Sequence, residues 1–464
     1  MSEELPRWQR VLRAWGFMTR KRTRRELGTA HDWKMRLVFW VGALLVGVLV
    51  VLFARAAEWS YGQFQRLHEW NEYAPLLVTP VGMVAIAWIM RRFAPAAQGS
   101  GIPQVLVILK PRYRWLRPAF LGIRVIVAKF VLTCMGLMVG ASIGREGPSV
   151  HIGAAVMRDM GRLGQLRQKA VDNALIVGGG AAGVSAAFNA PLAGIVFAVE
   201  SLAQPLEKRN SGILIVSIFL SGVVVLALSG HYSYFGTPEA TLMLADSWLG
   251  VLVTGLSCGL LGGLFARVLV SGTRALVPVM RSEPLKLAFL CGLLIASLGV
   301  VTGGETFGTG YEQVRNLLDA QREGEWTFPL AKMAATLASY FSGIPGGIFS
   351  PSMAAGAGVG AAVSEFMPSG ALVGLAMVGM ASFLSGVLQR PLVSFVIVME
   401  MTGNRHDILL ALMLGSLVAF GVSRLLMRAS LYDALATDLV SGPDRPAARG
   451  PGSPNPDQGT GRGV

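Results

Sequence analysis

The chain has 464 residues, of which 53% are apolar and only 15% charged, with a formal net charge of +14. A soluble globular chain carries roughly 25% charged residues, so the composition excludes a water-soluble enzyme or a nucleic-acid-binding domain as the main body and points to lipid as the solvent. The positive excess fits loops held at an anionic leaflet and by itself says nothing about the substrate.

In chain order, residues 1–34 are a basic segment. Arg7, Arg10, Arg13, Arg20, Lys21, Arg22, Arg24, Arg25 and Lys34, with Arg36 just beyond, precede the first long apolar run, and the positive-inside rule places them in the cytoplasm. Much more apolar sequence follows 36–53, which argues against a signal peptide. Apolar runs cover 36–53, 76–90, 119–143, 213–229, 248–270, 285–302, 371–399 and 408–427. Several approach the roughly 20 residues that a helix needs to cross a bilayer, while others are interrupted by Gly and Pro. Broken helices inside a membrane are tolerated only where protein or a watery cavity satisfies the freed backbone, so the interruptions predict a transport path. From Ser441 the chain is rich in Gly, Pro and Arg and too polar to fold alone, which predicts a disordered tail over 441–464.

Enzyme and metal chemistry find no support. Cys134, Cys258 and Cys291 are far apart in apolar stretches and read as small hydrophobes. The five histidines do not cluster, and His68-Glu69 lacks the second histidine of a zinc protease helix. Gly178 to Gly183 satisfies Gly-x-Gly-x-x-Gly but lies in an apolar membrane stretch without a strand before it, so it reads as a packing motif. No metal or cofactor is expected.

The chain repeats itself. Residues 144–153, Gly-Arg-Glu-Gly-Pro-Ser-Val-His-Ile-Gly, align with 347–356, Gly-Ile-Phe-Ser-Pro-Ser-Met-Ala-Ala-Gly, keeping Gly, Pro, Ser and Gly in place. Pro191-Leu192 through Val196 to Glu200 aligns with Pro391-Leu392 through Val396 to Glu400, and Gly179, Ala181 and Ser185 with Gly379, Ala381 and Ser385. Two homologous halves, about 35–205 and 245–430, are expected to meet at a substrate site. Whether they are parallel or inverted depends on a span count that the broken segments prevent.

Three stretches, Gly99-Ser-Gly-Ile-Pro103, Gly144-Arg-Glu-Gly-Pro148 and Gly346-Gly-Ile-Phe-Ser-Pro351, set a Pro-bounded turn beside an apolar run. These are helix-start signals, and a helix start offers free N–H groups and positive dipole to an anion. Any one alone reads as an ordinary loop-to-helix junction. Glu146 makes the set informative, because an ionisable residue among apolar ones is functional by default. Ionised, it occupies an anion site as a tethered competitor; protonated, it leaves that site. Pairing with Arg145 at a membrane surface is the plain alternative.

These three motifs in this order, followed by Tyr432 in Ser-Leu-Tyr-Asp-Ala, closely resemble the CLC family of chloride channels and chloride/proton antiporters over residues 35–440. The resemblance implies an all-α polytopic fold of two inverted repeats with broken, re-entrant helices, in a homodimer whose subunits each have a pore. It implies a multi-pass protein of a prokaryotic inner membrane, without regulatory C-terminal domains. Carried over by position, the hydroxyls of Ser100 and Tyr432 and the N–H groups of Ile348 and Phe349 hold a central chloride. Glu146 is the external gate and proton carrier, and the amides of Arg145 and Gly147 form an outer anion site. Lys129 matches a lysine of the family and aids the anion path. Family members that prefer nitrate have Pro at the position of Ser100, and the fluoride-specific branch departs from the serine motif, so chloride is the expected anion. One departure stands out: well-known antiporter members carry a second, proton-relaying glutamate where this chain has Ser201. Glu200 is then the candidate inner proton relay. The expected function is chloride/proton antiport gated by Glu146; the alternative is a passive chloride channel with the same anion site.

Overall fold

Prolines and glycines decide where the helices begin. The computed structural model describes residues 30–441 apart from 167, 203–207, 231–233, 239–243, 322–324, 368–369 and 405; most of the basic segment and all but the first residue of the C-terminal tail lie outside the described residues. The first half comprises α1 (Ala30–Trp70), α2 (Pro75–Phe93), α3 (Ile102–Leu109), α4 (Ile123–Met138), α5 (Glu146–Leu163), α6 (Lys169–Phe188), α7 (Pro191–Glu200) and α8 (Lys208–Ser229). The second half repeats the order as α9 (Leu244–Ser282), α10 (Pro284–Val301), α11 (Tyr311–Leu318), α12 (Thr327–Phe341), α13 (Phe349–Ser364), α14 (Leu372–Leu388), α15 (Pro391–Met401) and α16 (Leu409–Leu426), and α17 (Leu431–Ser441) follows. A 3-10 segment Pro111–Leu116 and a turn Arg117–Phe120 join α3 to α4. The only β-type pairing among the described residues is two isolated bridges.

Among the described residues seven helices are long and apolar enough to cross a membrane, eight if Pro111–Phe120 and Ile123–Met138, bent by 65°, form one span. Helix α3, with 8 residues, spans only about 12 Å and therefore starts or ends within a bilayer core about 30 Å thick. Leu37, Leu52, Leu77, Ile123 and Leu290 are exposed and form part of the lipid-facing shell of a multi-pass membrane protein.

The pairing of helices follows the repeat. Helix α1 packs on α8 as α9 does on α16, and α5 packs on α6 as α13 does on α14. At the α5–α6 crossing a Cβ on Gly153 or on Gly179 would overlap the other's carbonyl, and Gly356 and Gly379 meet in the same way at the second crossing. The glycine-rich run around Gly179 is thus a close-packing surface. Helices α7 and α15 carry the orientation of the halves. Glu200, at the end of α7, accepts from the N–H groups of Leu392 and Val393 at 3.2 and 2.7 Å. Glu400, near the end of α15, accepts from those of Leu192 and Ala193 at 3.1 and 2.7 Å. Each helix ends at the start of its repeat mate, so the two are antiparallel and the halves are inverted.

Candidate functional site

The three helix starts singled out in the sequence converge. The loops before α5 and α13 exchange two hydrogen bonds, Gly144 N–H to Gly347 O and Gly347 N–H to Gly144 O, both 2.7 Å, and Gly346 N–H reaches Gly99 O at 3.3 Å. A Cβ on Gly147 would lie 2.8 Å from that of Ser100, which brings the start of α5 against the first motif. Gly101 caps α3 with φ 99°, a left-handed conformation that a side chain resists. With the loops fixed, the first N–H groups of α5 and α13, lacking intrahelical partners, gather around one buried point.

Glu146 opens α5 and is 1% exposed. Its side chain turns back toward α13: Oε1 accepts from the Ser350 hydroxyl in the first turn of that helix, while Oε2 faces Gly144 and Gly347 and has no hydrogen-bond partner among the described residues. The carboxylate thus lies in the field of two helix starts. Ser100 is buried, and its Oγ accepts from Ile102 N–H at 3.3 Å. The Tyr432 hydroxyl, in the first turn of α17, neighbours Ser100 without meeting hydrogen-bond geometry, and it is buried with no partner among the described residues. The ring of Phe349 stands 6.1 Å from that of Tyr432. Ser100, Glu146, Gly147, Ile348, Phe349 and Tyr432 are therefore brought to one place, as the sequence led us to expect.

Of the other expected residues, Arg145 adjoins this place by its backbone alone. The backbone of Arg145 caps α5, but its side chain leaves the site, donating to Ala54 O at 3.0 Å and Glu58 Oε1 at 2.7 Å and resting 5.6 Å from the centre of the Tyr234 ring. It pairs with Glu58, so the alternative of an Arg145–Glu146 pair gives way. Glu200 caps the start of α15, accepting from the N–H groups of Leu392 and Val393.

Lys129 is fully buried and donates to Ala97 O at 2.7 Å, Gln98 O at 3.4 Å and Gly99 O at 2.6 Å. It staples the carbonyls of the loop before Ser100. The sequence reading missed its counterpart. Lys332, also fully buried, donates to Thr306 O, Phe307 O and Gly308 O at 2.9, 3.2 and 2.9 Å. The loop it holds, Gly308-Thr309-Gly310, copies the first: Gly310 caps α11 with φ 83°, and Tyr311 N–H reaches Thr309 Oγ1 at 3.3 Å. The displacement of 203 positions between the repeated motifs, applied to Lys129, lands on Lys332 and would have found it. Among the described residues no three His, Cys, Asp or Glu side chains group as metal ligands.

Comparison with known proteins bears on this geometry. The family model described as voltage gated chloride channel matches residues 82–424. The H(+)/Cl(-) exchange transporter ClcA of Yersinia pestis bv. Antiqua (strain Angola) is 30% identical over 439 residues, covering 87% of this chain and 88% of that protein. The crystal structure of a slow cyanobacterial Cl−/H+ antiporter superposes with a TM-score of 0.75 at 23% identity, covering 89% of this chain and 99% of that one. That of a CLC-type fluoride/proton antiporter gives 0.72 at 22% identity, covering 88% and 99%.

Proposed function

We propose that this chain, which belongs to the voltage-gated chloride channel family, exchanges chloride for protons across the membrane, with Glu146 as both gate and proton carrier. The observation that carries the reading is the inward turn of the Glu146 carboxylate onto the start of α13. As an anion it competes with chloride for the helix-start N–H groups, whose field favours a negative charge by up to about 2 kcal/mol when partly buried. Protonation removes that attraction, the side chain leaves, and chloride enters. Returning the proton to the other side requires the carboxylate to displace chloride again, and this ties the two fluxes together. The names of the curated relatives, proton/chloride exchangers, support exchange over conduction.

Chloride is held by the hydroxyls of Ser100 and Tyr432 and the N–H groups of Ile348 and Phe349, dipoles without a full charge, which bind a dehydrated anion without trapping it. The amides of Arg145 and Gly147 serve an outer position. A second copy of the chain is the proposed partner: Leu192 and Val199 on α7 and Leu392 on the adjoining α15 are exposed apolar side chains on neighbouring helices. Passive chloride conduction stays the second reading on one observation, that Ser201 stands where antiporter relatives are expected to have a relay and Glu200 is engaged as a cap.

Proteoliposomes under a chloride gradient, with no initial proton gradient, decide between them. Uphill proton movement that reverses with the chloride gradient is the expected result. Chloride flux with no proton movement under clamped voltage would make the protein a channel.

A further inference from the structure

The ends of α3, α5 and α6 remote from the gate hold a charge imbalance that anion transport does not use. Arg117 is 5% exposed and donates from Nε and Nη2 to Ile108 O near the end of α3, both at 3.2 Å. It also donates to Asp172 and Asn173 in the first turn of α6. This arginine is satisfied, and it occupies Asp172. Arg158, near the end of α5 and 7% exposed, lies in the field of the same Asp172 and of Asp159, yet its Nε and Nη1 are buried without a hydrogen-bond partner among the described residues. Arg114, in the field of Arg117, keeps a buried Nε in the same condition. Arg162 is engaged by Asp159 at 3.7 Å. Four guanidinium groups thus share two carboxylates. Buried donors left without a hydrogen bond are costly, more so on a charged group, and buried charges are found paired and hydrogen-bonded.

The repeat provides an internal control. The position 203 residues beyond Arg158 is Ala361, fully buried on α13, and the first turn of α14 holds Leu372 and Leu375 where α6 has Asp172. The same helix crossing is built without an arginine, so packing does not account for Arg158.

Shape and place name the ligand. Guanidinium forks match phosphate oxygens bidentately. The positive-inside rule sets this arginine-rich end at the cytoplasmic leaflet. Trp115, in the same segment as Arg114, is 50% exposed, and an exposed Trp beside arginines marks the headgroup level. Basic pockets between membrane helices on that side suit lipid headgroups. We propose that Arg114 and Arg158, beside an Arg117 fixed by Asp172, bind a phosphate group, that of an anionic phospholipid in the cytoplasmic leaflet.

Native mass spectrometry of the full-length protein tests this with phosphatidylglycerol, phosphatidylcholine as the uncharged control, and inorganic phosphate as competitor. Phosphatidylglycerol should be retained over phosphatidylcholine, and Arg158→Gln and Arg114→Gln should each weaken retention about fivefold. Phosphate that displaces the lipid and raises the unfolding temperature alone would keep the phosphate site and make its ligand soluble. Arg114 is half-buried on a connecting segment, so its variant carries the test if Arg158→Gln does not fold. Retention of neither ligand, wild-type retention by the Arg114 variant, or an equal loss in Arg162→Gln, which would mean a diffuse basic surface, overturns the proposal.

Discussion

Helices α5 and α13 share one construction and differ in contents. Both carry Pro and Ser in the first turn, Pro148-Ser149 and Pro351-Ser352, and both cross a glycine-bearing partner, Gly153 on Gly179 and Gly356 on Gly379. Both lie beside a loop whose carbonyls a buried lysine holds. Even the contact behind the cap repeats, with Gly101 against His151 and Gly310 against Ala354. Yet α5 has Glu146, His151 and Arg158 where α13 has Phe349, Ala354 and Ala361. Inverted halves impose the same packing demands on both sides. A polar residue that is costly to bury and occurs in one half alone therefore answers to something other than the fold.

The sharpest way to break that comparison is at its first position. Glu146→Gln should reduce coupled proton movement roughly a hundredfold or more, as loss of a proton-transferring group does, while chloride flux persists; Phe349→Leu should keep the coupling. Proton transport at the wild-type rate in Glu146→Gln would remove the gate assignment. The lysine pair comes next. Lys129→Met and Lys332→Met each strip a buried donor from three carbonyls and should cost about 3 kcal/mol in unfolding experiments. Chloride affinity by calorimetry should fall only for Lys129→Met, because only its loop carries Ser100. A third contrast is smaller: Ser100→Pro removes a hydroxyl from the anion and should shift nitrate against chloride by about 1 kcal/mol, roughly fivefold. Thr309→Pro, in the copied loop, should leave the preference unchanged in flux competition.

Much of this arrangement was legible in the sequence because Pro and Gly punctuate it. The starts of α3, α5 and α13 are written as Gly and Pro at fixed spacing, and the structure joins all three. The copied loop at Gly308 was not legible, since Tyr311-Glu312 follows it where Ile102-Pro103 follows the first, and the helix-start signal is lost with the proline. Lys332 was hidden in an ordinary helix and becomes visible only through its displacement from Lys129. The orientation of the halves followed from the family resemblance and not from the segments themselves: nothing local to Glu200 or Glu400 says that each carboxylate meets the start of the other's helix. For the same reason the capping role of Glu200, expected as the candidate inner proton relay, could not be read from its surroundings in the sequence. The basic segment before Ala30 and the tail beyond Ser441 lie outside the described residues.

The reciprocal caps offer the last and smallest test, and the one that bears on the inner proton route. Glu200→Gln and Glu400→Gln each remove a charge from the start of a short helix, while the amide oxygen still accepts one N–H, so each should lower stability by about 1 kcal/mol. If both carboxylates are only caps, the unfolding shifts match and the proton-to-chloride ratio in proteoliposomes is unchanged in either variant. The symmetry makes the control internal, because any general loosening of α7 against α15 must appear in both. Loss of proton movement in Glu200→Gln alone, with a stability shift equal to that of Glu400→Gln, would give Glu200 a relay role beyond its cap and carry the inner route through the end of α7. Matched behaviour would leave Glu146 as the one carboxylate in the exchange, with protons reaching it from the inner side by way of water rather than through α7.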